Sequence, residues 1–131
     1  MSEENVEIVE RLRRGYEAFN RGDFDAALEM ADPEIEFVRP SALSPVRGTD
    51  ALRGWMEPDA FEEQVIEPLE LRVAGNKVLV HQRNSARGAG SGVEVSNENW
   101  TVWTLNDEGL ATRAEAFDQK AEALVAAGLS E

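Results

Sequence analysis

Hydrophobic positions in the first third of the chain predict two helices followed by a strand. Over residues 8–19, apolar side chains recur every three or four positions, which is the spacing of one buried helical face. This helix is expected to end at Gly22, and Asp23 can cap a second helix that ends at Pro33. Over residues 34–39, apolar and charged side chains alternate. That alternation is typical of a strand with one buried face.

The rest of the chain reads as antiparallel strands joined by short turns, with a helix at either end. Thr49 or Asp50 can cap a short helix, and Gly75 and Asn76 suit a tight turn between two strands. A closing helix is expected over residues 119–127. The predicted strands cover residues 65–73, 77–86, 93–95, 99–105 and 110–117.

This order of elements predicts a single α+β domain over residues 1–131. Helices followed by a run of strands are typical of a curved sheet with helices packed on one face. The length of 131 residues also suits one domain with its own core. We interpret the glycine-rich segment 87–92 as a hairpin tip. A phosphate-binding loop would need a helix directly after it, and another strand pattern follows instead.

The composition of the chain argues against several classes of function. Twenty-six acidic and 13 basic residues give a formal net charge of −13, which repels nucleic-acid phosphates and anionic lipid surfaces. The chain has no cysteine and one histidine, His81, so we expect no transition-metal site and no cofactor. We find neither a basic leader nor a membrane-spanning apolar run. The expected protein is cytoplasmic, with no nucleic-acid or membrane partner.

The segment 16–37 combines a helix that stops at a glycine, a helix that starts at an aspartate and a strand that follows a proline. Together with the glycine-rich tip, the strand at 103–105 and the C-terminal segment 122–129, this order resembles the SnoaL-like branch of the nuclear transport factor 2-like superfamily. The resemblance covers nearly the whole chain. It implies a cone-shaped, curved antiparallel sheet packed against three N-terminal helices, with a short C-terminal helix, around one pocket. Its members include cyclases, isomerases, epoxide hydrolases and binding modules.

The resemblance also allows a comparison with ketosteroid isomerase, which uses an aspartate base and an oxyanion hole made by a tyrosine and a protonated aspartate. Aligning the helical hairpin and the final strand turn places the tyrosine at Gly15, the base at Arg39 and the second aspartate at Thr101. None of these side chains can perform the corresponding role. Tyr16 lies one residue away, about 100° round a helix, and cannot simply substitute. The resemblance therefore does not imply steroid isomerisation.

In the polyketide cyclases of the SnoaL-like group, an aspartate near the end of the last strand is the general acid/base. The resemblance implies the same role for Asp118, whose side chain is expected to share the pocket-facing parity of Thr101 and Trp103. Asp118 also directly precedes the closing helix, where an aspartate is a standard N-cap. Both interpretations of Asp118 stay open at the level of the sequence.

His81 is the only side chain whose unperturbed pKa lies near neutrality, and Arg83 shares its strand face. Together they are candidates for holding a carboxylate or an enolate in the pocket, with His81 as a catalytic residue beside Asp118. A lone strand histidine is more often a surface residue or a satisfied core residue. Arg83, like Arg39, can equally pair with one of the many glutamates.

Aromatic residues supply most of the apolar area for a ligand and for an interface. Trp100 and Trp103 have opposite strand parity, so one of them should line the concave side while the other faces outward. An outward tryptophan suits a homodimer through the outer sheet face. The candidate ligand-binding residues are Tyr16, Trp55, Arg83, Thr101 and Trp103.

Two functional hypotheses follow from these residues. In the first, the domain is a binding module whose aromatic-lined pocket holds a small apolar or aromatic molecule. In the second, it is a polyketide cyclase- or hydrolase-like enzyme in which Asp118 is the general acid/base and His81 or Arg83 its electrostatic partner. A third possibility is an interaction domain that uses the outer sheet face.

Overall fold

The computed structural model of the chain describes residues 3–39, 44–56, 61–88 and 92–129, without the side chains of residues 55, 56 and 61–63. The helices are α1 (Glu3–Asn20), α2 (Phe24–Ala27), α3 (Thr49–Met56) and α4 (Lys120–Ala127). The strands are β1 (Ala31–Val38), β2 (Val46–Arg47), β3 (Phe61–Ala74), β4 (Lys77–Gly88), β5 (Glu94–Leu105) and β6 (Ala111–Phe117). The predicted α+β class is confirmed. Within these residues, no helix is long and apolar enough to span a membrane.

The six strands form one sheet in the order β2-β1-β6-β5-β4-β3. Four of the neighbouring pairs are antiparallel, whereas β1 and β6 run parallel. The expectation of an antiparallel sheet is therefore corrected at this pair. Strands joined by a tight turn must run in opposite directions, but β1 and β6 are joined by most of the chain, so no turn sets their relative direction.

Strand parity divides the sheet into two faces, and the main core lies on the concave face. Val78 and Val80 of β4 point to this face and are fully buried against α1 and α3. Register shifts within β3, including one between Pro68 and Glu70, mark irregularities that help a sheet to bend around its helices. The buried residues of this core are Leu12, Tyr16, Met30, Ile35, Leu52, Val78, Val80, Leu105 and Ala111.

Helix α4 packs on the opposite, convex face of the sheet. Its Ala123 and Leu124 form a second buried cluster with Leu79 of β4 and Val102 of β5. Leu79 alternates with its neighbours Val78 and Val80, so its side chain must leave the sheet on the other side. The expectation that all helices pack on one face is therefore wrong for α4. The concave and convex faces each have a helical cover and a core of their own.

The second helix is much shorter than the sequence predicts. Asp23 caps it as expected, because its Oδ1 accepts a bond from a backbone N–H three residues on. The helix is only four residues long, however, and Pro33 lies within β1 instead of ending a helix. Pairing between β1 and β6 is irregular between Ala31 and Glu36. The missing N–H of Pro33 therefore falls where the ladder is already interrupted.

Two strand boundaries also differ from the predicted ones. β5 is one continuous strand of 12 residues where two short strands were expected, because its polar residues Ser96 to Asn99 still pair with β4 through the backbone. β3 begins at Phe61, four residues earlier than predicted. Of the glycine-rich hairpin tip, residues 89–91 lie outside the described part of the chain.

Asn20, the last residue of α1, fastens the helix to the edge strand β3. Its Nδ2 donates to the Ile66 carbonyl at 2.9 Å, and its Oδ1 accepts from the Ile66 N–H at 2.8 Å. Each such bond contributes about 1 kcal/mol net to stability. The pair satisfies both backbone groups of one residue on this edge strand. It therefore fixes the end of α1 beside the concave face.

Candidate functional site

A cavity of about 390 Å³ lies between the concave sheet face and the helices. This volume is within the usual range for small-molecule sites. Its apolar residues include Leu12, Phe19, Leu28, Met30, Ile35, Phe37, Leu52, Ile66 and Ala111. Its polar side chains are Tyr16 from α1, Gln82 and Asn84 from β4, and Asn99, Thr101 and the Trp103 indole from β5. Arg39 and Asp118 follow the ends of β1 and β6, and both are exposed at the rim.

A chain of hydrogen bonds connects α1 to the sheet inside this cavity. Trp103 Nε1 donates to the Tyr16 hydroxyl oxygen at 3.1 Å, and the Tyr16 hydroxyl donates to Gln82 Oε1 at 2.8 Å. The two aromatic rings meet edge to face, with centroids 6.2 Å apart and planes at 89°. Tyr16 and Gln82 are both buried. The arrangement therefore satisfies polar groups that would be costly to bury unpaired.

Burial changes the acid–base behaviour of Tyr16. Loss of solvent around the phenol raises the pKa of Tyr16 well above its usual value, and the hydrogen bond from Trp103 lowers it only in part. The phenol consequently stays neutral throughout the physiological pH range. In the cavity, Tyr16 is a hydrogen-bonding group and cannot act as a base.

A second polar pair lies on β4 and β5, beside Gln82. Asn84 Nδ2 donates to Asn99 Oδ1 at 2.7 Å. Thr101, which is buried, follows two residues further along the same face of β5. The amide and hydroxyl groups on this wall are neutral. They can recognise oxygen and nitrogen atoms of a ligand without the desolvation cost of a buried charge.

Asp118 lies at the cavity rim, directly after β6. Its neighbour Phe117 pairs with Trp100, so Asp118 has the parity of Ala116, which also lines the cavity. The N-cap of α4 is Gln119, and no side chain bonds the helix end there. Of the two interpretations of Asp118, the N-cap interpretation is therefore wrong, because the helix starts one residue too late for Asp118 to cap it.

The structure separates His81 and Arg83 from the cavity, which corrects their predicted place in the pocket. His81 pairs with Trp100, and its neighbour Val80 pairs with Thr101, so His81 points to the convex face. There its ring stacks on Trp100 with centroids 4.9 Å apart, and its Nε2 lies 2.8 Å from Glu98 Oε1. Arg83 lies between Glu67 at 3.5 Å and Glu98 at 3.8 Å. Neither residue reaches Asp118, because the sheet lies between them.

The remaining predicted residues fall on both sides of the sheet or outside the described part. Tyr16, Thr101 and Trp103 line the cavity, and Trp100 faces the convex side, as the opposite parity of the two tryptophans requires. Trp55 belongs to α3, but its side chain lies outside the described residues. The three positions aligned with the catalytic groups of ketosteroid isomerase, Gly15, Arg39 and Thr101, all line the cavity.

Sequence reasoning missed the three amide residues Gln82, Asn84 and Asn99. A signal for Gln82 was present, because it continues the alternation of Val78 and Val80 with a polar residue at a position that should be buried. Among the described residues, no three His, Asp or Glu side chains converge to hold a metal ion. The polar side chains on the cavity wall are neutral, and the two charged lining residues, Arg39 and Asp118, lie at the rim.

The single tyrosine of the chain makes the burial of Tyr16 directly measurable. We expect the native protein to show no tyrosinate absorbance at about pH 10, where an exposed tyrosine is half ionised. Because the folded state keeps a proton that the unfolded state releases, the free energy of unfolding should be unaffected by this group below about pH 10 and fall above it. The guanidinium-unfolded chain is the control, with an ordinary midpoint. A native midpoint near that of the unfolded chain would contradict the buried, bonded phenol.

Comparisons with known proteins agree with this architecture. No curated protein sequence matches the chain. Solved structures do match it. Three of them, each less than 25% identical to this chain in sequence, have the same fold. SalBIII, an epoxide hydrolase/cyclase-like enzyme of pyran ring formation in polyether salinomycin, is 24% identical over 92% of this chain and 96% of its own, with a TM-score of 0.77. TerC, crystallised with polyporic acid, is 20% identical over 88% and 93%, with a TM-score of 0.74.

A third similar structure is that of a protein from Jannaschia sp. CCS1 assigned as a SnoaL-like polyketide cyclase. It is 22% identical over 97% of this chain and 93% of its own, with a TM-score of 0.72. The family model of the SnoaL-like domain matches residues 12–114, which include the second half of α1, strands β1 to β5, the start of β6 and most of the cavity lining. The chain therefore belongs to the SnoaL-like domain family.

Proposed function

We propose that this domain binds a small apolar or aromatic molecule in the cavity on its concave face. The observation that carries the proposal is the cavity itself, about 390 Å³ in volume, with an apolar interior and a wall of neutral polar groups. Of the described residues that line it, only Arg39 and Asp118 carry a charge, and both are exposed at the rim. An uncharged ring system can enter such a space without stripping water from a buried ion.

Two of the similar structures support a small organic ligand. TerC was crystallised with polyporic acid, and SalBIII takes part in pyran ring formation in a polyether. The present cavity shares its fold with both proteins, at sequence identities of 20% and 24%.

Trp103 offers a direct test of binding, because its indole lines the cavity. With Trp55 and Trp100 each replaced by phenylalanine, one tryptophan remains to report on the site. Titration with tetralin, an uncharged bicyclic hydrocarbon, should change the emission of Trp103 and reduce its quenching by acrylamide, since the bound ring system covers the indole. The matched control retains Trp100 instead, which stacks on His81 on the convex face. Its emission should not respond.

The pocket assignment fails if tetralin and 1-tetralone, its ketone analogue, both leave the emission and quenching of Trp103 unchanged. It also fails if Trp100 responds as strongly as Trp103, because the probe would then be adsorbing to the outer surface. Nonspecific adsorption of the apolar probe to the protein would change the emission of Trp100 as well as that of Trp103. Binding in the cavity should change the emission of Trp103 alone.

A second candidate function is catalysis by Asp118, favoured by its place on the cavity rim and by Gln119 occupying the helix cap. In a hydrolase-like reaction, a carboxylate there can accept a proton from water as the water oxygen bonds to an epoxide carbon; the ring C–O bond breaks, and the released oxygen takes a proton from solvent. In a cyclase-like reaction, it can accept a proton from a carbon next to a ligand carbonyl, which leaves the electron pair on the ligand as an enolate. Asp118 would then serve a hydrolase- or cyclase-like reaction. His81 and Arg83 are not its partners in this proposal, because they lie on the other face.

Replacement of Asp118 by asparagine separates this candidate from simple binding. With styrene oxide as the probe, an enzyme should form the diol faster than buffer does, and Asp118→Asn should lower that rate by about a hundredfold or more. Tetralin affinity and thermal stability should stay unchanged, since Asp118 caps no helix. Diol formation that survives the substitution would rule out Asp118 as the base. Asp107→Asn, in the β5–β6 turn, is the control.

We also propose that the chain forms a homodimer through its convex face, although with contacts unlike those first expected. Trp100 is half-buried, because it stacks on His81 and packs against the buried cluster under α4. Cross-strand ion pairs occupy this face in two rows, Glu67–Arg83–Glu98 and Arg47–Glu36–Arg113. An interface there would be polar and sensitive to salt.

The mass of the protein in solution tests the proposed dimer. Light scattering at low salt should give twice the monomer mass of 14.5 kDa, and a mass near 14.5 kDa at micromolar concentration would contradict the dimer.

A further inference from the structure

The hydrogen-bond chain through Trp103, Tyr16 and Gln82 has a fixed direction. The Trp103 indole N–H can only donate, so the Tyr16 oxygen must accept from it. The single phenol proton then goes to Gln82, whose Oε1 is the acceptor. A glutamine amide has one oxygen and one NH₂ group, so this bond turns the Nε2 of Gln82 away from Tyr16.

The Nε2 of Gln82 has no bonded partner among the described residues. The side chain is buried and borders the cavity. Over the same residues, no fully enclosed side-chain nitrogen or oxygen lacks a partner. Nε2 therefore keeps some accessible surface, and the cavity is the space that Gln82 borders.

Asn99 supplies a second amide at the same place. It pairs directly with Gln82 across β4 and β5, and both side chains leave the sheet on the concave face. Directly opposed Cβ atoms in such pairs lie about 4.5–5.5 Å apart. Because Asn99 Oδ1 accepts from Asn84, its Nδ2 is likewise left to donate into the cavity. Two neighbouring NH₂ groups thus border one region.

We propose that Gln82 and Asn99 form a donor site that binds an acceptor oxygen of the ligand, namely a carbonyl or enolate oxygen on an aromatic or apolar frame. The inference rests on the proposed function, since it assumes that the cavity binds a small molecule. Uncharged amide donors suit an oxygen that carries partial negative charge, and they offer nothing to a hydrocarbon. The ligand class is therefore ketones or quinones.

Tyr16 is a positioning residue in this site, because it orients the amide of Gln82. Its proton is committed to Gln82 and cannot be offered to a ligand oxygen at the same time. This differs from the ketosteroid isomerase arrangement, in which a tyrosine is itself an oxyanion donor. Here the phenol holds the glutamine amide in one of its two orientations.

Binding of 1-tetralone and tetralin tests the donor site, because the two molecules differ by one carbonyl oxygen. Calorimetry on the wild-type protein should give 1-tetralone about tenfold higher affinity, the value of one or two net hydrogen bonds. Gln82→Leu should lower the ratio of 1-tetralone affinity to tetralin affinity from about ten to near one, since leucine has no donor, and this ratio compares two ligands in the same altered cavity. Gln64→Leu, the same change on β3 away from the cavity lining, should leave both affinities unchanged.

Two further variants separate recognition from folding. Gln82→Glu keeps an oxygen acceptor for Tyr16 but lacks the NH₂ group, so the ionised side chain should lose the preference for 1-tetralone, and a cooperative denaturant transition checks that the variant is folded. Tyr16→Phe keeps the amide but frees its rotation, so the preference should fall only in part. In ¹H–¹⁵N spectra of the wild-type protein, the side-chain NH₂ signal that disappears in Gln82→Leu should shift with 1-tetralone much more than with tetralin.

The outcomes distinguish this inference from the function on which it rests. If neither probe binds, the proposed function fails. If both probes bind with equal affinity, or if 1-tetralone does not shift the NH₂ signal of Gln82, the cavity is a binding site but the donor-site assignment is wrong. A tetralone preference that persists in both Gln82→Leu and Gln82→Glu also overturns the assignment of Gln82.

Discussion

The hydrogen bonds that join Tyr16 to Trp103 and Gln82 set the geometry of the concave face. They cross an apolar interior between α1 and the sheet, and they pair the Trp103 N–H, the Tyr16 hydroxyl and the Gln82 Oε1 with one another. Removing one member would leave the others buried without a partner, which costs about 1–3 kcal/mol for each such group. The edge-to-face contact of the two rings limits how closely helix and sheet can approach. The hydrogen-bonded side chains therefore keep α1 and the sheet far enough apart to leave a cavity. Apolar side chains alone could pack together and fill that space.

The same sheet serves two different tasks because successive residues on a strand face opposite ways. On β4, Val80 and Gln82 belong to the core and the cavity wall, whereas Leu79 and His81 belong to the convex side. The convex side is closed at one end by α4 and carries charged ladders elsewhere. Ligand chemistry and surface chemistry are therefore separated by the thickness of one sheet.

Much of this arrangement could be predicted from the sequence, and the errors have physical causes. The helical spacing of α1 and the opposite parity of Trp100 and Trp103 are local properties, so they carry over into the structure. The face occupied by His81 depends on the register between β4 and β5, and a slip of one residue reverses it. Pro33 reads as a helix terminator, but pairing of β1 with its neighbours decides the outcome.

The amide site was harder to foresee, since it depends on residues far apart in sequence. Tyr16 and Gln82 are separated by 66 positions, and their bond decides which end of the amide a ligand meets. Gln82 continues an apolar alternation, which marks it as buried but gives no orientation. Orientation follows only from the donor and acceptor capacities of the partners, and these become informative once the contacts are known.

The parallel pairing of β1 with β6 has a consequence for how the chain reaches its native state. Bonded partners such as Glu36 and Arg113 are 77 residues apart, so this seam cannot form until most of the chain has been synthesised and collapsed. Contacts of such long sequence separation slow folding, because the entropy of closing the intervening loop is lost before they form. The β3–β4 hairpin, in contrast, is local and can form early. The part of the cavity wall on β4 can therefore form early, and the wall is completed late, when β1 pairs with β6.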